Sequence, residues 1–152
     1  MISVRQVRFV EEHWDSIAKR ALGRIRREVP GSHAFSDVMI LDSVQDLFGH
    51  LGDWLTVSNP EHMARYEQFG RRRAAAHVHL HDLVRALQII RQCAVDYARD
   101  NELSDNTVAL RCESDLEYGI DRFFDLVVFN VVKGYEAELR GHPASLPAVA
   151  AH

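Results

Sequence analysis

Apolar residues recur at intervals of three and four along most of the chain. The first series, Val4, Val7, Val10, Trp14, Ile17, Ala21 and Ile25, predicts one helix from about Val4 to Glu28. Pro30-Gly31-Ser32 stops it. A second series, Leu41, Val44, Phe48, Leu51 and Leu55, predicts a helix capped by Ser36 or Asp37 and ending near Val57. Asn59 is a good N-cap, Pro60 suits a first helical position and Glu61 complements the N-terminal dipole. A third helix therefore runs from Pro60 to about Ala76, with Met63, Tyr66, Phe69 and Gly70 inward.

After a break at His77-Val78-His79, a fourth helix carries Leu80, Leu83, Val84, Leu87, Ile90, Ala94 and Tyr97 and ends near Asn101. Ser104 caps a long fifth helix, from about Asp105 to Leu139. Its apolar stripe is Val108, Cys112, Leu116, Ile120, Phe123, Val127, Val131 and Tyr135, and Gly119 marks a bend or a close helix contact. Gly141-His142-Pro143 ends it. There is no strand alternation, internal repeat or Gly-rich loop. The expected fold is all-α, a five-helix bundle or globin-like array with a long C-terminal helix. Residues 1–141 form the helical domain, and residues 142–152 are expected to be a flexible tail.

Composition narrows the function classes. A length of 152 residues fits one domain. A net charge of -4 argues against a nucleic-acid binder, which usually carries a basic face. All but two of the 18 cations are Arg, which reflects genome composition more than chemistry. Arg71-Arg72-Arg73 reads as one inward residue, Arg73, paired with a carboxylate, and two solvated neighbours, rather than as a phosphate patch. No stretch resembles a secretory h-region, and none approaches the roughly 20 apolar residues of a membrane helix. A cytoplasmic protein is expected, with Cys93 and Cys112 as free, buried thiols.

The search for chemistry returns little. No nucleophile–base signature or phosphate loop is present. Nine histidines are more than average, and the densest group is His77-Val78-His79-Leu80-His81-Asp82. Alternate residues at a helix start do not converge on a metal, which wants ligands three or four apart on a helix. Haem would need one histidine facing an apolar pocket, and His62, His77 and His81 are the candidates for haem or metal. No cofactor is expected. Trp14 and Trp54 lie on inner faces, where core packing outweighs ligand stacking. A ligand pocket, if present, would lie near Trp14, Trp54, Phe69 and Tyr97. An enzyme would show a pocket with two or more polar groups of shifted pKa. Arg73 and Arg91 fall at inward positions, and one of them is expected to pair with Asp125 inside the bundle.

One resemblance adds to this. Leu41-Asp42-Ser43-Val44-Gln45-Asp46-Leu47, followed by Leu51-Gly52-Asp53-Trp54-Leu55, looks like the early part of the RsbRD-type N-terminal sensor domain. The run from Gly70 to Arg91, with its Gly-x-x-Arg, tight loop and Leu-x-x-Leu-Val, is closer to that family. Phe123-Phe124-Asp125 and Gly134-Tyr135-Glu136 resemble its last helix. The similarity covers roughly residues 10–140, and departs where His77-Val78-His79 replaces a loop that more often holds Gly and Pro.

The resemblance implies a bacterial signalling domain of the kind found in stressosome RsbR-like antagonists and sensor histidine kinases. It implies a helical fold related to a globin-like sensor that binds no haem, pairing through helices, and no catalytic residues. The function expected is a non-catalytic sensor or interaction domain, a homodimer with a protein signalling partner and no nucleic acid or membrane. A haem- or metal-binding helical sensor is the alternative. The output module then lies on another polypeptide, or the domain acts alone through contact, with the long last helix as its output and dimer surface.

Overall fold

The computed structural model describes residues 4–49, 51–56, 60–101 and 107–141, with the side chains of 54, 56, 60 and 107–114 left aside. The described residues hold seven α-helices and no strand. These are α1 (Val4–Glu12), α2 (Trp14–Glu28), α3 (Asp37–Phe48), α4 (Leu51–Thr56), α5 (Pro60–Ala75), α6 (Leu80–Asn101) and α7 (Thr107–Leu139), with a 3-10 turn at Ser32–Ala34. The fold is therefore an all-α bundle. The expected count of five changes because two of the predicted helices are each broken once.

The first break is at His13. Its Nδ1 donates to the Phe9 carbonyl at 2.8 Å. Its backbone N–H is shared between the carbonyls of Phe9 and Val10, at 3.1 and 3.3 Å. A side chain inserted into the hydrogen-bond ladder is a recognised cause of a kink. The second break follows Gly49, a residue with little helix preference, where α3 stops and α4 starts two residues on. The start of α3 is as expected: Ser36 Oγ accepts from the Met39 N–H at 3.1 Å. The expected caps Asn59 and Ser104, and the tail 142–152, lie outside the described residues.

The turn between α5 and α6 has a defined geometry. His77 has φ 60, in the left-handed region. The Val78 N–H reaches the Arg73 carbonyl at 3.1 Å and the His77 N–H reaches that of Ala74 at 3.0 Å. These are the two bonds of a Schellman motif, with His77 in the place usually held by glycine. Val78 is buried, and its carbonyl accepts from the Tyr135 hydroxyl at 2.5 Å, which ties the turn to α7.

Contacts along each helix give its direction. Arg20–Asp100, Arg24–Gln92 and Arg85–Glu28 make α2 and α6 antiparallel. Arg99–Glu117 and Arg91–Asp121 do the same for α6 and α7. The most extensive pair, α5 and α7, is parallel: Asn130 meets Met63, Lys133 meets Glu67 and Arg71 meets Glu138. Gly119 is buried, but the glycines at which α5 and α7 touch are Gly70 and Gly134.

The core follows the predicted stripes. Val10, Ile17, Ala21, Ile25, Val44, Phe48, Leu51, Ala94, Ile120, Val127 and Val131 are fully enclosed. Val4 departs from its stripe and is exposed, one turn beyond the reach of the core. No helix of the described residues is long and apolar enough to cross a membrane.

Candidate functional site

A cavity of about 770 Å³ lies between α3 and α5. This falls within the range of about 300–1,000 Å³ usual for ligand pockets. Met39 and Leu47 of α3 form one wall, and Tyr66, Phe69 and Arg73 of α5 form the other. Leu87 of α6 and Val127 and Val131 of α7 close the floor. The apolar periodicity of four helices therefore converges on one lining. Polar groups sit around it: Asp42 is exposed at the rim, Arg65 pairs with Asp46 across the gap, and Arg72 is exposed.

Arg73 stands apart from the other cations. Its Nη1 contacts the Met39 sulfur, and its guanidinium lies over the Phe69 ring, 5.1 Å from the centroid. Its Nε is buried without a hydrogen-bond partner. Burial is the main cause that lowers its pKa, and the neighbouring charge of Arg72 lowers it further. The expected carboxylate partner for Arg73 is absent among the described residues. In the Arg71–Arg73 triplet it is Arg71 that is buried, and it pairs with Glu138 at 3.4 Å. A parallel α5–α7 contact buries the α5 face carrying Glu67, Gly70 and Arg71 and leaves Arg73 toward α3.

Tyr66 is the second shifted group in this wall. Burial pushes its hydroxyl pKa well up, the Asp46 charge adds to the effect and Arg65 opposes it. Both shifts arise first from desolvation, and neither changes the form present near pH 7. A tyrosine moved up stays protonated, and an arginine stays charged.

The other expected residues are dispersed. Of the aromatic candidates with described side chains, Phe69 lines the cavity and Trp14 and Tyr97 do not. Tyr97 lies on the far side of the bundle, stacked on Phe9 at 5.7 Å with the Arg20 guanidinium 5.2 Å from its ring centroid. Trp14 is partly buried against the core, and the Trp54 side chain lies outside the description. The expected Asp125 pair is corrected: Arg91 meets Asp121 at 2.9 Å, while Asp125 is exposed one turn further on. Asp121 and Asp125 are four apart and share a face of α7, but the ion pair of Arg91 is made with Asp121.

The histidines are likewise apart. His77 is exposed in the turn, His81 is exposed with its ring stacked on His79 at 5.6 Å, and His62 is half-buried on α5. None of the three lines the cavity. Among the described residues no group of three or more His, Cys, Asp or Glu is placed to hold a metal ion. Cys93 is buried, and burial raises its thiol pKa. Cys112 is outside the described side chains.

Sequence reasoning missed two features. At the α5–α7 contact, Gly70 was expected inward, and the signal for its counterpart Gly134 lay in its place on the inner side of α7. The cavity had none, because it depends on how far α3 stands from α5. Compared with known families, residues 15–142 match the model of the RsbT co-antagonist protein rsbRD N-terminal domain. That span runs from the start of α2 to just past α7 and leaves α1 outside. No curated protein and no solved structure matches the chain.

Proposed function

The chain belongs to the RsbT co-antagonist protein rsbRD N-terminal domain family, and on that premise we propose that it is a non-catalytic cytoplasmic sensor domain that pairs through α7 with a second copy of itself and signals to a protein partner. The family implies a stressosome-type signalling sensor domain. The observation that supports pairing is the outer face of α7. Opposite the buried stripe of Leu116, Ile120, Phe123, Val127 and Val131, it carries exposed Tyr118, Leu126 and Phe129. Exposed apolar groups at helical spacing on one long helix suit a helix-to-helix contact. Phe129 is 65% exposed, so its ring is available to a partner. The same reading takes the helix arrangement as globin-like and the switch as a small shift of packed helices passed along α7.

Sedimentation velocity over a concentration series tests the pairing. The expected result is a dimer for the native chain and a monomer for Phe129→Glu, with unchanged helical circular dichroism. A native chain that stays monomeric at every concentration, or a Phe129→Glu chain that still dimerises, overturns it. The haem or metal alternative draws no support from the placement of His62, His77 and His81.

A further inference from the structure

We propose that the cavity between α3 and α5 binds a small amphipathic acid, with Arg73 holding its carboxylate and the apolar floor holding its chain. The inference rests on the cavity and its charge, and does not depend on α7 pairing.

Shape and lining come first. The space of about 770 Å³ is floored by Leu87, Val127 and Val131 and walled by Leu47 and Phe69. Such a lining removes an aliphatic or aromatic body from water, which is favourable in proportion to the apolar area covered. It offers such a body few polar groups other than those at its edges.

Charge then selects the head group. A half-buried guanidinium without a carboxylate is costly, because desolvation is only partly repaid by a ring face and a thioether. The nearby carboxylates do not neutralise Arg73: Asp46 is engaged by Arg65, and Asp42 is exposed at the rim. The other nearby cation, Arg72, adds positive charge. Arg73 therefore keeps unused donors, including its buried Nε, beside an apolar space. A guanidinium presents a planar fork that matches two carboxylate oxygens. One anionic head with one apolar body satisfies both halves of the site. A neutral molecule would leave the fork unpaired, and a small inorganic anion would leave the floor wet.

Titration calorimetry with sodium decanoate below its micelle concentration tests this on the full chain. Decanol is the uncharged control of similar body. The expected result is saturable one-to-one binding of decanoate, about tenfold or more tighter than of decanol. Arg73→Met should abolish that preference, and Arg73→Lys should retain part of it. Ala64→Phe, which projects into the same space without touching Arg73, should abolish binding of both. Equal binding of acid and alcohol by the native chain overturns the proposal, as does the absence of saturable heat or native-like binding by Arg73→Met. Should Arg73→Met fail to fold, the acid–alcohol comparison and Ala64→Phe decide the matter alone. A failure here leaves the sedimentation result standing, and a monomeric chain leaves this one standing.

Discussion

Gly70 and Gly134 face each other where α5 and α7 touch, and each occupies the space where the other helix's backbone leaves no room for a side chain. A Cβ at Gly70 would collide with the Val131 carbonyl, and one at Gly134 with the Glu67 carbonyl. The obstruction is backbone, not the end of a flexible side chain, so the helices must move apart to admit a methyl group. Gly134→Ala is therefore expected to lower stability by about 1–3 kcal/mol, against the gain of about 1 kcal/mol that alanine brings to an open helix. Urea unfolding followed by circular dichroism measures the sum. A stabilised variant would mean that α5 and α7 do not meet here.

His77 sits in a conformation that suits glycine, at φ 60. The left-handed region costs an ordinary residue about 1–2 kcal/mol. Its ring is exposed, so replacement removes no packing. His77→Gly should raise stability by about 0.5–1 kcal/mol after the added entropy of the unfolded chain is subtracted. His77→Val should lower it. The pair of melting temperatures, read in opposite directions from the native value, checks both.

Tyr66 predicts how stability depends on high pH. Its pKa is raised in the folded chain above the ordinary value of 10.0, chiefly by burial. A raised pKa means that the folded state favours the protonated phenol. The contribution is fully present below about pH 10 and is lost as pH rises above it. Tyr66→Phe should unfold less steeply with alkali above that point and behave like the native chain at pH 7. Absorbance of phenolate during an alkaline titration should show one tyrosine ionising only with unfolding.

Two aspartates on α7 should differ little despite different roles. Asp121 meets Arg91 at 2.9 Å, but both side chains keep a third or more of their exposure. Pairs of this kind contribute about 0–1 kcal/mol, so Asp121→Ala should cost no more than that. Asp125→Ala should stay within about 0.5 kcal/mol, as surface substitutions do. A loss of several kcal/mol at Asp125 would restore the buried pair expected from its place beside Phe123 and Phe124.

The helices were legible because each carries an apolar stripe against a polar face. The boundaries at Pro60, Leu80, Asn101 and Leu139 match the expectation closely, since proline, a histidine-rich break and a terminal glycine punctuate the chain there. The breaks at His13 and Gly49 were not legible. One depends on a ring nitrogen finding a carbonyl, and the other on a glycine that helices often tolerate. The ion pairs were the least legible. Arg71, Arg73 and Arg91 all sit on faces that turn inward, and periodicity places a side chain on a face without naming its partner. The α5–α7 crossing decides that Arg71 finds Glu138 and that Arg73 finds none.

The helix α7 is also a partition. Val127 and Val131 lie on the cavity floor, while Leu126 and Phe129 face outward on the same two turns. The inside and the outside of the molecule are thus separated by the width of one helix, about 10–12 Å with side chains. A closely packed helix moves as a rod, because its neighbours leave it little room to bend. A group seated on the floor and a group resting on Phe129 would therefore press on opposite sides of the same two turns.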